Sequence, residues 1–221
     1  MGQMMPRSPV KQTTTRSHRP TRAYANGPDD PDRVRCSPYA AAKAAAADYA
    51  RMFHALYGLS VVSVRVLMAY GPGQWDGTKL VPYVANCILR GERPRLGSGN
   101  QEIDWIYVDD VVEAFLRAAH SDDAEGQTID VGSGKLVTAG SLVNDLVRLM
   151  GGEVQPIFGA LPDRAMELVR VADVARTRRL IGWEPSTPLN IGLAKTAQWY
   201  RDRGLNGDHK DGGRFAGVDG D

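Results

Sequence analysis

Tyr39 and Lys43 stand four residues apart in the run Ser37-Pro38-Tyr39-Ala40-Ala41-Ala42-Lys43. Positions i and i+4 share one face of a helix, so a phenol and an ammonium group spaced this way can reach the same ligand. A buried ammonium beside a phenol lowers the phenol's pKa toward neutrality, which suits the tyrosine to general acid–base chemistry. On an open surface the same spacing is only an ordinary side-chain pair, so the surrounding elements must decide its meaning. Three acids, Asp104, Asp109 and Asp110, form a second cluster. A metal site is conceivable, but capping of a helix start and anchoring of loops fit better. Gly132-Ser133-Gly134-Lys135 has the look of a phosphate-binding loop. The first glycine of that motif is absent at the required spacing, and Leu136 replaces the hydroxyl residue that would hold magnesium, so the segment reads as a strand-to-helix turn. His18, His54, His120 and His209 are scattered without triad or metal spacing.

The elements that must position Tyr39 and Lys43 can be read on either side of them. Residues 1–34 are polar and rich in Pro and Arg, which predicts loop or disorder. Ser37 is a good N-cap and Pro38 suits the first helical position; a helix is therefore expected through the alanine-rich stretch to Tyr57, stopped by Gly58. The apolar run from Leu59 to Tyr70, ending at Gly71-Pro72-Gly73, predicts a strand buried on both faces. A long helix feeding such a strand is half of a parallel α/β layer. Farther on, the pattern predicts helices over 78–90, 109–120, 140–150, 171–181 and 189–203, and strands over 102–108, 127–131 and 154–158. The globular part spans 35–203, and the Gly- and Asp-rich segment 204–221 reads as a disordered tail.

Composition excludes several classes of protein. The chain has 221 residues and 43% hydrophobic content, enough for one good core and inconsistent with disorder throughout. Lys and Arg number 27 against 26 Asp and Glu, which gives no electrostatic footprint for nucleic acid. No run approaches the roughly 20 apolar residues that span a bilayer, so no membrane partner is expected. Cys36 and Cys87 lack metal-site or disulfide-framework spacing and fit a reducing, cytoplasmic setting.

Read in order, SPYAAAK, YGLSVVSVRVLMAYGPGQ, GSGNQEIDWIYVDDVVEA and RLIGWEPSTPLNIGL, followed by a Trp-Tyr helix end, resemble the sugar-nucleotide epimerase/dehydratase branch of the extended short-chain dehydrogenases, the UDP-glucose 4-epimerase-like group. The resemblance runs from about residue 36 to 203 and covers the C-terminal portion of such an enzyme. It implies an α/β fold: a partial Rossmann-type parallel sheet lacking its N-terminal strands, with a small α/β substrate-binding subdomain. It also implies NAD (or NADP) as cofactor and a nucleotide-sugar as substrate, oxidised transiently by hydride transfer. In such enzymes Tyr39 would take the proton from a sugar hydroxyl, while Lys43 would bind the nicotinamide ribose and tune the tyrosine. Val66 and Leu67 would line the nicotinamide and Met68 the sugar; Met68 stands where relatives often carry asparagine. Lys79 and Leu80 occupy positions that face the nucleotide diphosphate, and Arg164 with Glu167 resembles a pair that grips pyrophosphate and ribose. Arg164 suits that role because a guanidinium makes paired hydrogen bonds to phosphate oxygens. Ile103 stands where relatives often have arginine. Small alanines on several faces of the Tyr39 helix permit close helix packing, and relatives dimerise through such helices, so a homodimer is expected.

A complete dinucleotide site needs a glycine-rich strand-turn-helix to bind pyrophosphate and an acid for the ribose. No such motif occurs in these residues, and upstream of Tyr39 the hydroxyls of Thr13, Thr14 and Thr15 lie in a polar tract. The sequence therefore predicts a truncated enzyme that is weakly active or inactive alone, with an open sheet edge and uncovered apolar faces. The alternative is a non-catalytic module of the same fold that works through a partner chain.

Overall fold

The computed structural model describes residues 38–163 and 169–205. The first helix, α1, is described over Pro38–Tyr57 and ends where predicted, with Gly58 at φ 65° donating its amide to His54 O. Glycine carries that left-handed turn without the penalty a Cβ would add. The strand that follows departs from expectation in two ways. It divides into β1 (Ser63–Val66) and β2 (Met68–Tyr70), and β1 is only half-buried along its length.

The reason for the partial burial is an alternation that the run's overall apolarity hides. β1 pairs in parallel with β4 (Thr128–Val131), Ser63 opposite Thr128 and Val66 opposite Val131. Val64, Val66, Ile129 and Val131 share one face, where they pack with Ala114 and Ala118. Ser63, Arg65, Thr128 and Asp130 share the other, and there the Arg65 guanidinium is bonded to Asp130 at 2.5 Å. Successive side chains of a strand point to opposite faces, so the sheet has one apolar and one polar side.

At Leu67 the chain leaves this two-stranded sheet for a second one. Leu67 donates to Val131 O, and β2 then pairs in parallel with β3 (Glu102–Tyr107), which pairs antiparallel with β5 (Leu136–Thr138). β5 was not foreseen; a segment of three residues is too short for periodicity to reveal. The helices are α2 (Leu80–Leu89), α3 (Val108–Ala119), α4 (Ala139–Leu149), α5 (Val174–Ile181) and α6 (Leu189–Leu205). The strand expected over 154–158 is absent; Ile157 makes only an isolated bridge to Arg95.

Two cores result. One packs α3 and α5 on β1 and β4, through Ile106, Ala114, Ile129, Ile181 and Trp183. The other lies among α2, α4, α6 and β3, through Val84, Trp105, Leu142, Leu146, Leu193 and Tyr200. The fold is thus α/β, with a small parallel layer and a helix-rich subdomain beside it. Among the described residues no helix is long and apolar enough to cross a membrane.

Candidate active site

The direction of α1 relative to the sheet sets the level of each candidate residue. Arg51 of α1 donates to Thr128 Oγ1 at 3.2 Å, and His54, one turn later, lies against Gly126. Moving forward along α1 therefore means moving backward along β4, and the helix is antiparallel to the strands. With a rise of about 1.5 Å per helical residue and about 3.3 Å per strand residue, Lys43 and Tyr39 come level with Val66, Leu67 and Met68, since Ser63 is the partner of Thr128. Followed straight back from Arg51, α1 heads toward the C-terminal ends of the parallel strands, which is where open α/β sheets bind ligands. The two side chains also meet: Lys43 Nζ lies 5.8 Å from the centre of the Tyr39 ring.

One expectation is corrected. The ammonium is not buried; Lys43 is exposed and Tyr39 is 72% exposed. The helix explains this, because none of its 20 residues is buried. Met68, also exposed, projects from the start of β2, while Leu67 is half-buried.

The remaining candidates fall elsewhere. Lys79 is exposed at the N-cap of α2, a helix start that no side chain caps, so an ammonium group and the positive end of a helix coincide there. Leu80, half-buried in the first turn of α2, packs its side chain against the second core. Arg164 and Glu167 lie outside the described residues. The chain leading to them is anchored, because Gly159 and Leu161 donate to Gly97 O and Leu96 O, and Asp163 accepts the Ser98 amide at 2.7 Å. Those bonds from Ser98 hold the Asp163 carboxyl below the usual range. Ile103 faces Val137 across the antiparallel pair and packs on the second core.

The acid cluster resolves into two anchors, as the capping and anchoring reading expected. Asp104 is buried and accepts from Ser133 N (2.6 Å), Ser133 Oγ (2.7 Å), Gly134 N (3.1 Å) and Ala172 N (2.9 Å). Asp110 accepts from Ser186 N (3.2 Å), Ser186 Oγ (2.8 Å), Thr187 N (3.0 Å) and Thr187 Oγ1 (3.2 Å). The Gly-Ser-Gly segment accordingly exists for Asp104: a Cβ on Gly132 would stand 2.7 Å from Asp104 Oδ2. It leads into β5 rather than directly into a helix. Sequence reasoning missed these partners, although the hydroxyl pair Ser186-Thr187 offered a signal.

Loop 71–79 is held by α6. Tyr200 donates to Gln74 O at 2.5 Å, Trp75 packs edge-on against Trp199 with centroids 5.0 Å apart, and the Arg203 guanidinium lies over both rings. Burial pushes the Tyr200 phenol well above its ordinary pKa; the Tyr70 phenol is raised likewise, by burial first and then by Asp110 and Tyr107.

An open parallel α/β layer with a paired phenol and ammonium at its strand ends defines a class of ligand-binding α/β proteins. Residues 16–132, just over half of the chain, match the NAD dependent epimerase/dehydratase family, and the chain belongs to that family. It is 32% identical over 185 residues to the UDP-glucose 4-epimerase of Mycolicibacterium smegmatis, a match covering 82% of this chain and 58% of that protein. It is also 32% identical to the dTDP-glucose 4,6-dehydratase of Xanthomonas campestris, over 74% of this chain and 49% of the relative. Among solved structures it resembles the UDP-glucose 4-epimerase of Thermotoga maritima with UDP-glucose, at TM-score 0.71 and 29% identity, over 77% of this chain and 55% of that one. The chain spans about half to three-fifths of the length of these relatives.

Proposed function

We propose that this chain carries the proton-transfer and substrate-binding portion of an NAD-dependent nucleotide-sugar epimerase/dehydratase. The observation that carries the reading is the meeting of Tyr39 and Lys43 on one face of α1. Those residues fit the nicotinamide end of NAD (or NADP): a hydroxyl, an ammonium and the apolar Leu67 share one level, and Leu67 has no competing charge. When bound, the cofactor supplies the hydride acceptor for the sugar carbon. Tyr39 Oη takes the proton of the sugar hydroxyl and later returns it. Lys43 stabilises the phenolate and holds the ribose. Met68 lines the sugar, and Lys79 faces the diphosphate with the amides of the α2 start. Arg164 and Glu167 are assigned by resemblance to pyrophosphate and ribose. The relatives' names, a UDP-glucose 4-epimerase and a dTDP-glucose 4,6-dehydratase, agree on a nucleotide-activated glucose.

The chain by itself is expected to bind NAD weakly and turn over negligibly, because among the described residues none covers Lys43, and the sequence carries no glycine-rich pyrophosphate turn. A second reading, a non-catalytic module, is favoured by the exposure of Tyr39 alone. The two are separated by assaying sugar-nucleotide-dependent reduction of NAD in the full chain mixed with the portion of the M. smegmatis epimerase that it does not match. Activity lost by 10²-fold or more in Tyr39→Phe and in Lys43→Met supports the enzyme. Activity unchanged in Tyr39→Phe, or none in the parent mixture once a complex has formed, supports the module.

We assign homodimerisation to the outer face of α1, where Tyr49, Met52, Phe53 and Leu56 follow one another at i, i+3, i+4 and i+7 and all are exposed.

A further inference from the structure

The loop from Gly71 to Lys79 joins two candidate ligand contacts, Met68 at the start of β2 and Lys79 at the N-cap of α2. Its ends are fixed by the core, since Tyr70 is buried at the end of β2 and Val81, Val84 and Ala85 bury one side of α2. Its middle is not confined in that way. Trp75, Asp76 and Thr78 are exposed, and a Cβ on Gly73 or Gly77 would meet no neighbouring atom. A stretch with two such glycines has a wide choice of backbone conformations, so definite contacts must select one.

Those contacts come from the last turns of α6, a helix whose Leu193 and Ala197 are fully enclosed in the second core. Tyr200 donates to Gln74 O, and Trp75 meets Trp199 edge-on. Trp199 in turn stands perpendicular to Tyr200, with ring centres 4.9 Å apart. The Arg203 guanidinium lies 4.4 Å from the centre of the Trp75 ring and 4.8 Å from that of Trp199, where both ring faces attract it, so one cation ties the loop to the helix. Beyond Trp75 the chain is stiff. Asp76 Oδ1 accepts from Thr78 N (3.0 Å) and Thr78 Oγ1 (2.6 Å), and Asp76 O accepts the Lys79 amide at 3.0 Å. Such a turn moves as a unit, so the seat of Trp75 sets the direction from which the chain enters Lys79. The same bonds engage the Asp76 carboxylate, which would otherwise compete for the ammonium group three residues on.

We propose that Trp199, Tyr200 and Arg203 are positioning residues for the nucleotide-sugar: by clamping Gln74 and Trp75 they hold the turn that presents the Lys79 ammonium to the diphosphate. They act through the loop and touch no ligand themselves. The inference rests on the role proposed above for Lys79.

The test measures binding of UDP-glucose to the full chain by calorimetry. Arg203→Gln and Trp75→Ala should each bind about tenfold more weakly than the parent, with circular dichroism unchanged. Arg203→Lys, which keeps a cation over the rings, should recover most of the affinity. Arg148→Gln, which removes a positive charge from the exposed side of α4, should bind as the parent does. The diagnostic is the cycle with Lys79: in a Lys79→Gln background, Arg203→Gln should cause no further loss, because its effect passes through the missing ammonium group. Parent-like affinity in either Arg203→Gln or Trp75→Ala, or an undiminished Arg203→Gln effect without Lys79, would overturn the positioning role and leave the assignment of Lys79 standing. A parent chain that binds no UDP-glucose, or binds it equally well as Lys79→Gln, would overturn that assignment and the positioning role with it.

Discussion

Single carboxylates hold the loops around the candidate site. Asp104 satisfies the amides of Ser133, Gly134 and Ala172 from a fully enclosed position. Replacing it by alanine leaves those donors without an acceptor, so Asp104→Ala should lose about 3 kcal/mol of unfolding free energy, measured by urea denaturation. Asp104→Asn should lose less, since its carbonyl still accepts. Tyrosines give the pH dependence. The phenols of Tyr70 and Tyr200 are held neutral by burial, with pKa raised above the ordinary value of about 10. A group whose folded pKa is raised contributes stability that is complete below its unfolded pKa and is lost as pH rises beyond it. Stability should therefore be flat up to about pH 10 with respect to these groups and fall above it. Phenolate absorbance should show both rings un-ionised until the chain unfolds. Early titration of either ring in the folded chain would refute this.

Between elements, α6 approaches β2 and β3 closely. A Cβ on Gly192 would stand 2.8 Å from the Tyr107 ring and 3.1 Å from Tyr70 Cζ, so a glycine in the first turn of α6 lets the helix lie on two rings that themselves meet at 5.8 Å. Alanine normally favours a helix over glycine by about 1 kcal/mol. Here the sign should reverse: Gly192→Ala is expected to destabilise by about 1–3 kcal/mol through overpacking. Combining it with Tyr70→Phe should cost less than the sum of the two single changes, because the hydroxyl is among the atoms that clash. Calorimetry on the four proteins of the cycle measures the coupling, and strict additivity would show that the clash is relieved elsewhere.

At the scale of the whole molecule, the uncovered surfaces dominate. α1 buries none of its residues, and its outer face should drive self-association. Leu56→Glu is expected to shift the chain from dimer to monomer in sedimentation equilibrium while leaving its secondary structure intact. If the parent chain sediments as a monomer, the dimer assignment is wrong.

Local chemistry decided much of this in advance. Gly58 closes α1 because glycine takes the left-handed turn without penalty. The ordered motifs from Ser37 to Tyr200 were enough to point to the epimerase/dehydratase family. Other features depended on partners distant in the chain. The alternation in Ser63-Val64-Arg65-Val66 was hidden within a longer apolar run, and only pairing with β4 brought Asp130 beside Arg65 on the polar face. Asp104 and Asp110 were legible as anchors, yet the groups that donate to them, 29 to 77 residues away, were set by the packing of α5 and α6. The spacing of Tyr39 and Lys43 belongs to the sequence, because one helical turn determines it. Their exposure does not, because desolvation depends on what covers α1, and that is a property of assembled surfaces rather than of neighbouring residues.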